Sequence, residues 1–129
     1  MATQRPTILV VEDVGLVRMS LAMDLQDAGF TVLEASTADG AISVLERGEP
    51  PIHIVLTDLN MPGSQGGAAL LRWLARNRPE IVRAVCTAHA GLAPIEDVSA
   101  GNLVFEKPFD PVRLTSELWS ALSLARQDV

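Results

Sequence analysis

The chain has little of what marks a secreted, membrane-spanning or nucleic-acid-binding protein. It carries one cysteine, Cys86. A lone thiol cannot close an internal disulfide, which points to a reducing compartment. No apolar run approaches the roughly 18 residues that a spanning helix needs. The opening "MATQRPTILVVED" reaches acids too soon for a signal peptide. Cations are few and scattered: 10 Lys and Arg stand against 16 Asp and Glu, a net charge of −6. Phosphate backbones are gripped by clustered cations, so a nucleic-acid surface is excluded. Repeats, low-complexity tracts and linkers are absent too. These absences describe a cytoplasmic protein with no nucleic-acid or membrane partner.

What remains is a chain of 129 residues, 48% hydrophobic and 20% charged. That is the balance of one compact domain over residues 1–129 with a proper core. Five short apolar runs alternate with longer amphipathic segments: "TILVV" (Thr7–Val11), "TVLE" (Thr31–Glu34), "IHIVLT" (Ile52–Thr57), "IVRAVC" (Ile81–Cys86) and "NLVFE" (Asn102–Glu106). Their Val, Ile and Leu content predicts strands buried on both faces.

Between the first two runs, Val14, Val17, Leu21, Leu25 and Ala28 recur at helical spacing, and Gly29 follows as a left-handed cap. Thr37 is placed to cap a second helix that stops at Gly48, before Pro50 and Pro51. The third helix is "GAALLRWLARN", with Pro79 beyond it. Asp110-Pro111 opens the last helix, whose stripe is Leu114, Leu118, Leu122 and Ala125. Only "AHAGLAPIEDVSAG" is out of pattern; Gly91, Pro94 and Gly101 leave room for a short or mobile fourth helix. Strand–helix alternation of this kind predicts an α/β fold, a doubly wound parallel sheet with helices on both faces.

In such sheets ligands bind at the carboxyl ends of the strands. Run one ends in Glu12-Asp13, run three in Asp58, run four in Thr87 and run five in Lys107, so a parallel sheet brings all five to one edge. Three carboxylates there repel; two unit charges about 4 Å apart interact by roughly 4 kcal/mol at an effective dielectric near 20. A shared proton, Lys107 or a divalent cation must offset that. Hard oxygen ligands suit Mg²⁺, which keeps several waters and completes its shell from a phosphate. A hydroxyl and an ammonium on the far side complement other phosphate oxygens. The constellation is suited to a phosphoryl group on or near Asp58.

"ILVVED", "LTDLNMPG", "CTA" and "EKPF" stand in the order and near the spacing of four motifs of one family. The chain resembles, over essentially its whole length, the CheY-like receiver domain of bacterial response regulators in two-component systems. The resemblance implies a flavodoxin-like five-stranded parallel sheet in the order 2-1-3-4-5. It implies that Asp58 is the phosphoacceptor, supplied by a histidine kinase or a histidine phosphotransfer protein. Asp13 would bind Mg²⁺ directly, Glu12 mainly through water, and Asn60 through its backbone carbonyl; Mn²⁺ is the substitute cation. Thr87 and Lys107 would contact phosphoryl oxygens, beside a small Ala88, and Lys107-Pro108 would be a cis peptide. Water attacking the acyl phosphate would reset the switch, so the domain is a signalling module rather than an enzyme with an external substrate. An unidentified downstream protein would read the surface around the fourth helical segment, the fifth strand and the last helix.

One departure concerns that output. The family usually carries Tyr or Phe three residues before the Lys, and its ring swings inward when the Thr engages phosphate. Here Val104 stands there, with Phe105 beside it. The reading is that phosphorylation instead orders or shifts residues 88–101. His53 and His89 have no partners at metal spacing and read as structural or exposed, and Cys86 reads as a buried strand residue.

Three alternatives stay open. The module could work without phosphorylation, although the full set of acids, Thr and Lys argues otherwise. No DNA-binding domain fits after Val129, so the chain is read either as a stand-alone regulator or as a piece of a longer hybrid kinase or regulator. A phosphatase of the haloacid dehalogenase type also uses an Asp nucleophile, but it wants a second acid two residues on, where this chain has Asn60.

Overall fold

The computed structural model describes residues 5–59, 66–87 and 101–127. Its elements are β1 (Thr7–Val11), α1 (Gly15–Asp27), β2 (Thr31–Ala35), α2 (Ala38–Arg47), β3 (Ile54–Asp58), α3 (Gly67–Asn77), β4 (Val82–Thr87), β5 (Leu103–Glu106) and α4 (Pro111–Gln127). The five strands form one sheet, ordered β2-β1-β3-β4-β5, and every pair is parallel. The short or mobile helix expected between the fourth and fifth strands falls within 88–100, outside the described residues.

Period-two alternation divides the core between the two faces. Ile8, Val10, Ile54, Leu56, Ala84 and Phe105 face α1 and α4, where Leu25, Leu114 and Leu118 meet them. Leu9, Val11 and Val55 face the other way, against Ala41 and Leu45 of α2 and Leu70 and Leu74 of α3. Burial of all five strands on both faces does not hold. β1 is buried throughout, but the outer strands β2 and β5 keep exposed positions. An edge strand has a neighbour on one flank only, so helices cover it incompletely.

Local signals set most helix ends. Thr37 Oγ1 accepts from Gly40 N at 2.9 Å, and Gly48 closes α2 with φ of 72°, a conformation costly for residues with a Cβ. Asp110 Oδ1 accepts from Val112 N at 3.0 Å, with Pro111 in the first helical position. α1 differs from expectation at its start. Val14 and Val17 are 50% and 42% exposed, and burial begins only at Leu21, Ala22 and Leu25. Val14 is the extended N-cap residue, and the first turn leaves the sheet edge before the helix docks.

The other side chains singled out have structural places. His53 Nδ1 accepts from Thr7 N at 3.0 Å, linking the starts of β1 and β3. Cys86 is buried in β4. Trp119 Nε1 donates to Ala28 O at 2.9 Å, and its ring stacks on Phe30 with centroids 4.8 Å apart. No helix among the described residues is long and apolar enough to cross a membrane.

Candidate functional site

Register places the polar strand ends side by side. Val11 pairs with Ala35 and Thr57, Asp58 with Cys86, and Thr87 with Glu106. Two strands run one residue further than their apolar runs, so Asp58 and Thr87 are the last members of β3 and β4. Backbone bonds continue past them: Leu59 N donates to Cys86 O at 2.9 Å, and Lys107 N to Thr87 O at 2.8 Å. Asp58, Thr87 and Lys107 are therefore carried on ladder-held backbone rather than on free loops.

Glu12, Asp13 and Asp58 each bring a carboxylate oxygen within 4.8 Å of the other two. Lys107 Nζ donates to Asp58 Oδ2 at 3.1 Å. Glu12 is only 4% exposed, and its Oε2 has no hydrogen-bond partner. Burial, then the hydrogen bond and charge of Asp58, push the Glu12 carboxyl up to about 7, against the opposing charge of Lys107. Burial works against the Lys107 ammonium, but the hydrogen bond and charge of Asp58, helped by Glu12, outweigh it and raise Lys107 above the ordinary lysine range. The cluster is thus partly neutralised by the Lys107 ammonium, and burial beside Asp58 favours the protonated form of Glu12, its most buried acid.

A metal ion fits this donor set. All three groups are carboxylates, the hard ligands that Mg²⁺, Mn²⁺ and Ca²⁺ prefer, and the orphaned Glu12 oxygen lacks the partner a cation or its water supplies. Opposite ligands of Mg²⁺ lie roughly 4.2 Å apart, so the acids need only a small contraction or one bridging water. A small cavity of about 20 Å³ borders Glu12, Asp58 and Lys107 on one side and Val11, Leu21, Leu56 and Phe109 on the other.

The remaining expected residues divide. Asn60 and Ala88 lie outside the described residues, as does His89. The Lys107–Pro108 peptide is cis. Val104 is 40% exposed while Phe105 is 6% exposed and packs in the core; consecutive strand residues point to opposite faces, so Phe105 does not stand in for an aromatic at 104. Two further residues bear on the site. A Cβ on Gly67 would collide with Asp58 O and lie 2.9 Å from Leu59 Cα, so α3 approaches the Asp58 peptide as only glycine permits. Arg18 Nη1 donates to Glu12 O at 2.8 Å. The glycine pair Gly66-Gly67 was a legible hint of close approach; nothing local announced the Arg18 contact.

A doubly wound parallel sheet with an acid cluster and a lysine at its carboxyl edge defines a CheY-like, flavodoxin-like architecture. Comparison with known proteins agrees. The sequence profile of the response regulator receiver domain matches residues 8–118. The chain is 35% identical over 103 residues to the sensor kinase CckA of Brucella abortus, covering 80% of this chain and 10% of that protein. It is 33% identical over 103 residues to the transcriptional regulatory protein PhoP of Escherichia coli, covering 79% of this chain and 45% of that one. In fold it matches a CheY-like response regulator receiver domain protein from Methanospirillum hungatei, with a TM-score of 0.88, 23% identity and coverage of 98% and 100%. The chain belongs to the response regulator receiver domain family of two-component systems. It spans less than half the length of either of those two relatives. A receiver is a signalling domain, and the dehalogenase-type reading has no support among these relatives.

Proposed function

We propose that this receiver accepts a phosphoryl group on Asp58 from the phosphohistidine of a histidine kinase or phosphotransfer protein, with Mg²⁺ as cofactor, and relays the signal through protein contacts. The observation that carries the proposal is the convergence of Glu12, Asp13, Asp58 and Lys107 at the carboxyl edge, with Asp58 hydrogen-bonded to Lys107.

An Asp58 oxygen attacks phosphorus, the phosphorus–nitrogen bond of the donor breaks, and the electron pair stays on the imidazole. Phosphoryl transfer asks chiefly for positioning and charge neutralisation. Lys107 supplies a cation on one flank, and Thr87, buried at the end of β4, supplies a hydroxyl for a phosphoryl oxygen. Asp13, Asp58, the Asn60 carbonyl and, through water, Glu12 would hold Mg²⁺ or Mn²⁺, which when bound neutralises charge on the transferring oxygens. A residue as small as Ala88 would leave room for entry. Attack of water on phosphorus then returns Asp58 to its carboxylate.

The downstream protein would read the surface around the fourth helical segment, β5 and α4. With Val104 in place of an aromatic, the output change falls on residues 88–101. Amide exchange with and without phosphate that shows no difference there sinks this part. Kinship to a sensor kinase, of which the chain covers 10%, supports a second form of the reading: a receiver carried in a longer protein.

Intact mass after incubation with Mg²⁺ and acetyl phosphate tests the chemistry. One phosphoryl group gained by the unmodified chain, and lost with Asp58→Asn or without metal, is the expected result. Absence of any adduct, together with failure to bind beryllofluoride, favours a module that works without phosphorylation.

A further inference from the structure

The segment bearing Glu12 and Asp13 joins a strand to a helix without the usual fastening. α1 begins after Val14, which has no side-chain cap, and its first turn holds no acid. By contrast, Thr37 and Asp110 fasten the starts of α2 and α4. On the sheet side, Glu12 N donates to Ala35 O at 3.0 Å. On the helix side, Arg18 N donates to Val14 O at 2.9 Å. Arg18 spans the gap with its side chain: Nη1 donates to Glu12 O at 2.8 Å and Nε to Glu34 Oε1 at 3.1 Å. The carbonyl it holds belongs to the peptide that joins Glu12 to Asp13. Fixing that peptide plane fixes how the two carboxylates diverge from the chain.

We propose that Arg18 is a positioning residue: anchored on Glu34 of β2, it locks the Glu12–Asp13 peptide so that both acids face Asp58 in an arrangement ready for a divalent cation. The inference rests on the metal-binding reading of the acid cluster. Arg18 acts through geometry. Lys107 is the cation whose charge bears on the Glu12 carboxyl, while Arg18 reaches the backbone. A guanidinium has the rigid fork needed to hold a carbonyl and a carboxylate at once, and an ammonium does not. The Arg18–Glu34 pair is partly exposed, 22% and 42% by side chain, so its loss alone has little effect on stability. Groups that support a ligand's orientation typically change metal affinity on the order of tenfold or more.

Isothermal titration of the full chain with Mg²⁺ tests this, alongside thermal melts in EDTA. Arg18→Ala is expected to weaken Mg²⁺ binding on the order of tenfold, Arg18→Lys nearly as much, and Glu34→Gln less. Leu118→Ala, in the core and not among the residues lining the cavity beside the acids, lowers the melting temperature and leaves the affinity unchanged, which separates positioning from general loosening. Unchanged affinity in Arg18→Ala, or full recovery in Arg18→Lys, overturns the proposal. If Arg18→Ala does not fold, Glu34→Gln and Arg18→Lys decide by the same readout. Asp13→Asn distinguishes the two levels: loss of binding in Asp13→Asn with unchanged binding in Arg18→Ala rejects the role of Arg18 alone. No binding by the unmodified chain, or normal binding by Asp13→Asn, rejects the metal-site reading and the proposal with it.

Discussion

The Glu12 and Asp58 carboxylates lie with oxygens within 4.8 Å of each other at the carboxyl edge of the sheet, and burial, together with that neighbour, raises the Glu12 carboxyl from 4.5 to about 7. Between those values the folded chain binds more protons than the unfolded one. The stability this group contributes is therefore full below pH 4.5 and is lost as pH rises through 7, by on the order of 3 kcal/mol. Glu12→Gln should remove that dependence and make the metal-free chain the more stable of the two at pH 8. Urea unfolding in EDTA from pH 5 to pH 8 checks it, and equal pH slopes for the two proteins would contradict it.

A cation that replaces the Glu12 proton must compete with it. Mg²⁺ should therefore bind more tightly at pH 8 than at pH 6. At a free concentration ten times the dissociation constant it should stabilise the fold by about 1.4 kcal/mol, a rise of about 5 °C in melting temperature. Chelation should reverse the rise, and Asp13→Asn should abolish it. A melting temperature that ignores Mg²⁺ at every pH speaks against the site.

Gly67 and Gly48 offer a matched pair of substitutions. At Gly67 the added Cβ collides with Asp58 O, whereas at Gly48 it meets nothing within 4 Å and only the φ of 72° is strained. Gly48→Ala should cost about 1 kcal/mol and leave phosphoryl uptake alone. Gly67→Ala should cost about 1–3 kcal/mol and slow uptake from acetyl phosphate, because the Asp58 peptide must shift. Equal uptake rates for the two variants would show that the close approach does not position Asp58.

Cys86 is buried, and desolvation is the main reason its thiol is pushed up to about 12. In the folded chain it should stay unlabelled by maleimide at pH 8 while reacting fully in urea. Rapid labelling without denaturant would mean that β4 opens at the site.

The sequence by itself determined the elements and which of their ends carry chemistry, because those signals are local. Apolar runs mark strands, Thr37 and Asp110 mark helix starts, and once the strands are parallel Asp58, Thr87 and Lys107 must share an edge. Family motifs then named the family. Tertiary structure decided what depends on distance across the chain. Glu12 and Asp58, far apart in sequence, become neighbours at one edge, and packing that buries the first beside the second raises the Glu12 carboxyl. Val104 and Phe105 are adjacent in the chain, yet the sheet turns one outward and buries the other. Whether Val17 is core or surface turned on where α1 first meets the sheet, which a repeating apolar pattern cannot state. Arg18 could be read as one more helical cation until the fold set its guanidinium on the peptide between the two acids. Hydrogen bonds of that kind form between groups that only the completed sheet brings within reach.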